Sequence, residues 1–295
     1  MKSLFVTELD SQYWHKLQND LITQGFEIYT PRYTEFAAKK PGISVTLYAS
    51  GKLVVQGKKS PDFITLYLEP EILQSLAYSH PETVTDMTPR IGVDEAGKGD
   101  YFGPLCTSAV YGDTTTIPTL LKLRVGDSKT LSDEKVLKIA PLIEEQLATH
   151  TLILRPPKYN ELYSKCQNVN KLLAWSHATC IKHLTQKTHC STVLIDQFGH
   201  KSLVKNALER QSVSVDLEQK HKAESDIVVA AASIVARAAF LRELRSLSEY
   251  YSLPLPKGAS NHVITAAKTF IHKYSPQELP LVAKKHFKTT QAVLA

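Results

Sequence analysis

The stretch Ile91-Gly92-Val93-Asp94-Glu95-Ala96-Gly97-Lys98-Gly99-Asp100 constrains this chain more than any other. A short apolar run there ends in two adjacent carboxylates, and a charge at the edge of a core needs a partner. Strand alternation sends Asp94 and Glu95 to opposite faces. Both reach one cation cluster only if the backbone twists or bends there, which the glycines permit. Two more carboxylates sit in comparable places. Thr192-Val193-Leu194-Ile195 is a β-rich run ending at Asp196. His221-Lys222-Ala223-Glu224-Ser225-Asp226 precedes an Ala-rich stretch that reads as a helix over 226–245, apolar nearly all round and therefore buried. The positive N-terminal end of that helix would tolerate a carboxylate.

Each position also has a plain reading. Asp94-Glu95 can be a solvated strand end, Asp196 a turn former, and Glu224 or Asp226 a helix cap. Taken singly, Asp196 reads as a turn residue and Asp226 as a cap. Taken together, acidic residues beside strand and helix ends suit a hard-cation site built from oxygen ligands. Four carboxylates converging in a partly desolvated pocket repel one another, and two Mg²⁺ would cancel that charge.

Gly92 to Lys98 also matches GxxxxGK, the start of a nucleotide-binding loop. The next residue is Gly99, where such a loop needs Ser or Thr to hold Mg²⁺, and two carboxylates inside it would repel the phosphates. That reading fails. Gly97-Lys98-Gly99 can instead bare the backbone so that a sugar edge approaches without a Cβ in the way. A plain strand-to-loop turn fits the spacing equally well.

The chain has 295 residues, enough for a large domain and a small one. Residues 80–90, with two prolines and no periodicity, read as a connection, which gives units 1–80 and 91–295 joined by a linker over 81–90. The first unit reads as α+β. A helix capped at Ser11 carries Tyr13, Leu17 and Leu21 on one face and closes at Gly25. Ile43, Val45 and Leu47 alternate as a strand, Ser50-Gly51 turns, and Lys52-Leu53-Val54-Val55 returns. A second helix is expected over 61–78. After the linker the pattern is α/β, with helices over 132–147 and 169–186 and strands at Ile91–Val93, Thr107–Tyr111 and Thr192–Ile195.

Net charge is +6. Residues 1–87 carry 8 Lys/Arg against 10 Asp/Glu, whereas the rest carry 27 against 19. The cationic excess therefore lies in the larger unit, as expected if that unit handles a polyanion. The N-terminus lacks the apolar core of a secretion signal, and the longest greasy stretch, 227–241, is interrupted by Ser233 and Arg237. The four cysteines show no CxxC pair and no zinc-ligand spacing. A cytoplasmic protein with reduced thiols and no membrane segment is expected.

The ordered motifs Asp94-Glu95-Ala96-Gly97-Lys98-Gly99-Asp100, Asp127-Ser128-Lys129, Leu194-Ile195-Asp196 and Ala230-Ala231-Ala232-Ser233-Ile234 with Ala236-Arg237 resemble those of type 2 ribonucleases H. The likeness extends over most of 90–290, including Lys285-His286-Phe287. The Gly-Lys-Gly turn, a glutamate at 224 and the small N-terminal unit are similar to the ribonuclease HIII branch. The runs Lys158–Tyr163 and Ala174–His177 point the same way.

This resemblance implies an α/β protein. Its catalytic domain would have the RNase H fold, a mixed central sheet flanked by helices, and its N-terminal α+β domain would resemble half of a TATA-box-binding protein. It implies metal-binding catalytic roles for Asp94, Glu95, Asp196 and Glu224, but not for Asp226. Gly97, Lys98 and Gly99 would meet the ribose 2′-OH, and Lys129 a phosphate. The reaction would be cleavage of the RNA strand of an RNA–DNA hybrid with two Mg²⁺ or Mn²⁺ ions, leaving 5′-phosphate and 3′-hydroxyl ends. The enzyme would act as a monomer. The N-terminal unit would grip the hybrid through Lys52, Lys58 and Lys59, with Tyr48 or Leu53 against sugars. Lysines protecting a sheet edge are the plain alternative. Two other functions stay open: incision at single ribonucleotides in DNA, as in ribonuclease HII, and a catalytically silent nucleic-acid-binding protein.

Overall fold

In the computed structural model, the described residues are 3–126, 128, 131–221 and 223–295, with Ser3 described by its backbone alone. They form two compact units, Met1–Asp86 and Met87–Ala295.

The first unit runs β1 (Ser3–Glu8), α1 (Trp14–Thr23), β2 (Glu27–Tyr29), β3 (Thr34–Lys40), β4 (Ile43–Tyr48), β5 (Lys52–Gly57) and α2 (Ser60–Phe63). Its antiparallel sheet has the order β1-β5-β4-β3-β2. Alternation along the strands sends Phe36, Ala38, Val45, Leu47, Leu53 and Val55 into one core with Leu17 and Leu21 of α1. Leu53 is fully buried, so it is not available to touch a sugar. The opposite face carries a cross-strand row of Val6, Val54, Thr46, Ala37 and Tyr29. The first helical turn is capped by Asp10, which accepts from the Gln12 amide, rather than by Ser11. The helix expected over 61–78 differs more. After α2 the chain widens into a π-helix, Ile64–Leu73, that contains Pro70 and stops at Gln74 in a left-handed conformation. Pro70 has no amide hydrogen for a regular helix. Beyond Gln74 the amides of Tyr78 and Ser79 bond instead to the buried Glu69 carboxylate.

The second unit contains β6 (Arg90–Ala96), β7 (Leu105–Gly112), α3 (Ile117–Lys122), α4 (Asp133–Gln146), β8 (Thr149–Leu154), α5 (Pro156–Cys166) and α6 (Val169–Thr188). There follow β9 (Thr192–Asp196), α7 (Ser202–Arg210), β10 (Asp216–Lys220), α8 (Ile227–Tyr250), α9 (Asn261–Tyr274), α10 (Leu279–Val282) and α11 (Lys288–Leu294). The sheet order is β10-β9-β6-β7-β8, with β10, β9 and β6 parallel and β7 and β8 antiparallel. The sheet is mixed and covered on both faces. One core joins α3, α4 and α8, and the other joins α6 and α7 to Ile91, Val93, Val193 and Ile195. Among the described residues no helix is long and apolar enough to cross a membrane.

The packing of α8 on β6 positions everything that follows. A Cβ on Gly92 would come within 2.5 Å of the Val229 backbone nitrogen, so only glycine lets the helix lie this close. Below that contact Arg90, 4% exposed, pairs with Asp226 at 2.6 Å. Asp226 also accepts from the amides of Val228 and Val229 and so caps α8. Its carboxylate is occupied in holding the helix to the strand, in keeping with the cap reading.

Candidate active site

Parallel strands β6 and β9 pair up to Val93↔Ile195, so the next residues, Asp94 and Asp196, emerge side by side at their carboxyl ends. In open α/β sheets this edge is where ligands bind. Asp94 and Glu95 diverge as alternation requires. The Asp94 carboxylate takes a hydrogen bond from Ser233 of α8, whereas Glu95 Oε2 is 3.0 Å from His177 Nε2 of α6. Asp94 also accepts from the Glu95 amide at 2.8 Å. Burial, and then the neighbouring Glu95 charge, hold the Asp94 carboxyl well above the usual carboxylate range.

Asp196 Oδ1 accepts from the Ala223 amide at 3.1 Å, which ties β9 to the short turn Ala223–Ser225 that contains Glu224. The turn bearing Glu224 is therefore anchored to Asp196. Among the described residues no group of three or more His, Cys, Asp or Glu side chains is already arranged to hold a metal ion. Asp94, Glu95 and Asp196 each turn to a separate hydrogen-bond partner. The donor set is all-oxygen carboxylate at a sheet edge, which fits a hard divalent cation.

The turn beyond β6 is built for close approach. Gly97 has φ +86°, and a Cβ there would lie 2.2 Å from the Pro104 carbonyl oxygen, whereas a Cβ on Gly99 would meet nothing within 4 Å. Lys98 between them places Nζ 3.9 Å from Glu95 Oε1 and 5.6 Å from the centre of the Phe198 ring. Behind the turn, fully buried Lys284 donates to the carbonyls of Asp100 and Gly103, each at 2.7 Å, and the Gly258 amide donates to Asp100 at 2.6 Å. These bonds fix the loop that carries the glycines.

Ser128 lies beside this edge. Its hydroxyl is 2.7 Å from Ser233 Oγ, and Arg237, one helical turn further along α8, donates to the carbonyls of Ser128 and Leu131. Lys129 lies outside the described residues. In the first unit Lys52 begins β5, whereas Lys58 and Lys59 follow its far end. All three are exposed, but a strand of about 20 Å separates the first from the other two. They form two patches.

Sequence reasoning missed Ser233, His177 and Phe198. Ser233 was visible as a hydroxyl interrupting an apolar stretch. His177 could have been suspected as an imidazole within an apolar run of α6. Nothing in the sequence links either of them to Asp94 or Glu95.

A mixed sheet covered on both faces, with carboxylates at the ends of its adjacent central strands, defines a nuclease domain of the ribonuclease H type. Residues 91–290 match the family described as Ribonuclease HII, and residues 4–77 match a domain of unknown function (DUF3378). The chain is 49% identical to Ribonuclease HIII of Protochlamydia amoebophila (strain UWE25), over 98% of this chain and 96% of that one. It is 46% identical to Ribonuclease HIII of Chlamydia felis (strain Fe/C-56), over 98% and 97%. Its fold aligns with the crystal structure of Bst-RNase HIII in complex with Mn2+ at a TM-score of 0.69 and 31% identity, covering 99% of this chain and 98% of that one. The chain belongs to the ribonuclease HIII family.

Proposed function

We propose that this chain cleaves the RNA strand of RNA–DNA hybrids by hydrolysis at the tip of β6 and β9, with Asp94, Glu95, Asp196 and Glu224 holding two divalent cations. It is a metal-dependent endoribonuclease, and Mn²⁺ is the ion held by its structural relative. The observation that carries the residue assignment is the side-by-side emergence of Asp94 and Asp196, with the Glu224 turn hydrogen-bonded to Asp196.

The cations, when bound, supply an activated water at neutral pH and charge neutralisation at the leaving 3′-oxygen. The protein's own groups do the rest. Asp94, through Ser233, and Asp196, through Ala223, are held on fixed elements, so little side-chain freedom is lost on assembly. Gly97, closed in by Pro104, lets the turn form, and Gly99 leaves the backbone open to a ribose edge, where a 2′-OH distinguishes RNA from DNA. Lys98 supplies a cation beside that edge, and Lys129 a phosphate contact. In-line attack leaves a 5′-phosphate and a 3′-hydroxyl.

The first unit grips the hybrid. Its uncovered sheet face, with exposed Tyr29, Tyr48 and Val6, lies against sugars, and Lys52, Lys58 and Lys59 reach phosphates at the two ends of β5. The enzyme acts as a monomer in the cytoplasm.

Cleavage of labelled RNA–DNA hybrid, DNA duplex and RNA duplex, each with Mg²⁺, Mn²⁺ or EDTA, tests this reading. Only the hybrid should be cut, and only with metal. Cutting in EDTA, or undiminished activity of Asp94→Asn, would refute it.

A further inference from the structure

Behind Glu95 lies a group of side chains that the reaction above does not use. His177, in the middle of α6, has no exposed surface. Its Nε2 is 3.0 Å from Glu95 Oε2, and its Nδ1 is buried without a hydrogen-bond partner among the described residues. A buried N–H without an acceptor is a costlier orphan than a buried lone pair. The favoured tautomer therefore carries its hydrogen on Nε2 and donates it to Glu95.

The Phe198 ring backs the imidazole, with centroids 4.8 Å apart and planes inclined at 59°. The same ring lies 5.6 Å from the Lys98 ammonium, which stands 3.9 Å from Glu95 Oε1. The two oxygens of Glu95 thus have separate surroundings. Oε2 faces the buried imidazole, and Oε1 faces Lys98 of the turn that would meet substrate. A glutamate at a strand end otherwise has three side-chain torsions to restrict before it can ligate.

We infer that His177 is a positioning residue for divalent-cation binding: its Nε2–H fixes the orientation of the Glu95 carboxylate, and Phe198 fixes the imidazole. The inference rests on the reading of Glu95 as a metal ligand. Donors that orient ligating carboxylates typically change metal affinity or activity about 10–100-fold when removed. A merely structural histidine would change the melting temperature and leave metal affinity where it was.

The experiment uses the full chain, with Mn²⁺ alone as the probe. Free Mn²⁺ is followed by electron paramagnetic resonance for the parent, His177→Leu, His177→Gln, Phe198→Leu and Glu95→Gln, beside circular dichroism and the Mn²⁺ midpoint for hybrid cleavage. His177→Leu should raise the Mn²⁺ dissociation constant and the cleavage midpoint together, about 10–100-fold. At saturating Mn²⁺ its kcat should fall much less. His177→Gln should restore most of the affinity, because its amide nitrogen can occupy the place of Nε2. Phe198→Leu should shift it less, in the same direction. Phe198 is only partly buried, so this variant keeps the test decisive if His177→Leu does not fold.

Parental Mn²⁺ affinity in folded His177→Leu and Phe198→Leu, or a His177→Gln protein as weak as His177→Leu, overturns the inference. If Glu95→Gln alone loses Mn²⁺, the metal-site reading stands without it. If Glu95→Gln also binds as the parent does, that reading falls and takes the inference with it.

Discussion

The protein has two five-stranded sheets that differ in what covers them. The sheet of the second unit has helices on both faces, and its acidic residues gather at the edge where β6 and β9 end. The sheet of the first unit has helices on one face and, on the other, small, aliphatic and tyrosine side chains in register, of which Val6, Tyr29 and Tyr48 are exposed. Charge follows the same division. Asp94 and Glu95 sit partly buried at the covered sheet's edge, where a charge is expensive and so acts strongly on a ligand. The lysines of the first unit are solvated, where each contributes little beyond non-specific attraction. A buried edge with costly charges suits bond breaking. A broad open face suits holding.

That contrast can be broken experimentally. The largest effect belongs to Asp94→Asn and Asp196→Asn, each of which should lower kcat on hybrid by on the order of 10³-fold while leaving hybrid affinity near the parent's. An equal loss of binding would mean that the edge also grips. Removal of residues 1–86 should do the reverse, weakening hybrid binding about 10–100-fold while kcat at saturation changes little. Fluorescence anisotropy set beside single-turnover rates separates the two.

Gly97→Ala comes next. Its Cβ would collide with the Pro104 carbonyl at a positive φ, so urea unfolding should show a loss of about 1–3 kcal/mol. Gly99→Ala, with open space around it, should fold as the parent and lose activity on hybrid if a ribose edge passes there.

A further prediction concerns pH. The folded state keeps the Asp94 proton to higher pH than the unfolded chain, because burial and Glu95 raise its pKa. Above the usual carboxylate range the folded state therefore binds more protons than the unfolded one, and stability falls as pH rises through that window. In EDTA, Asp94→Asn should remove this fall, so that its gain in stability over the parent is larger at pH 8 than at pH 4. Denaturant melts at the two pH values check it. The smallest effect is that of Lys52→Ala, which should make the slope of log affinity against log salt less negative by about 0.9, with kcat unchanged.

The sequence alone determined the order of elements around the site, since an apolar run ending in acid is visible one residue at a time. Asp94-Glu95, Asp196 and the Glu224 context were legible in this way, and so was Asp226 as a cap, because capping is a local interaction. Pro70 was equally visible, yet its effect was not: the expected helix became a π-helix because a missing amide, and then the buried Glu69, took over its backbone bonding.

What only the tertiary structure decided is pairing over distance. Ser233 is one hydroxyl among alanines until α8 lies on Gly92 and brings it to Asp94, 139 residues earlier in the chain. His177 and Phe198 acquire meaning when α6 covers the opposite face of the same strand and puts an imidazole against Glu95. Periodicity records which face of an element is apolar, but the partner a polar group finds depends on which elements pack there. That is settled by the volume and close approach of side chains far apart in the chain.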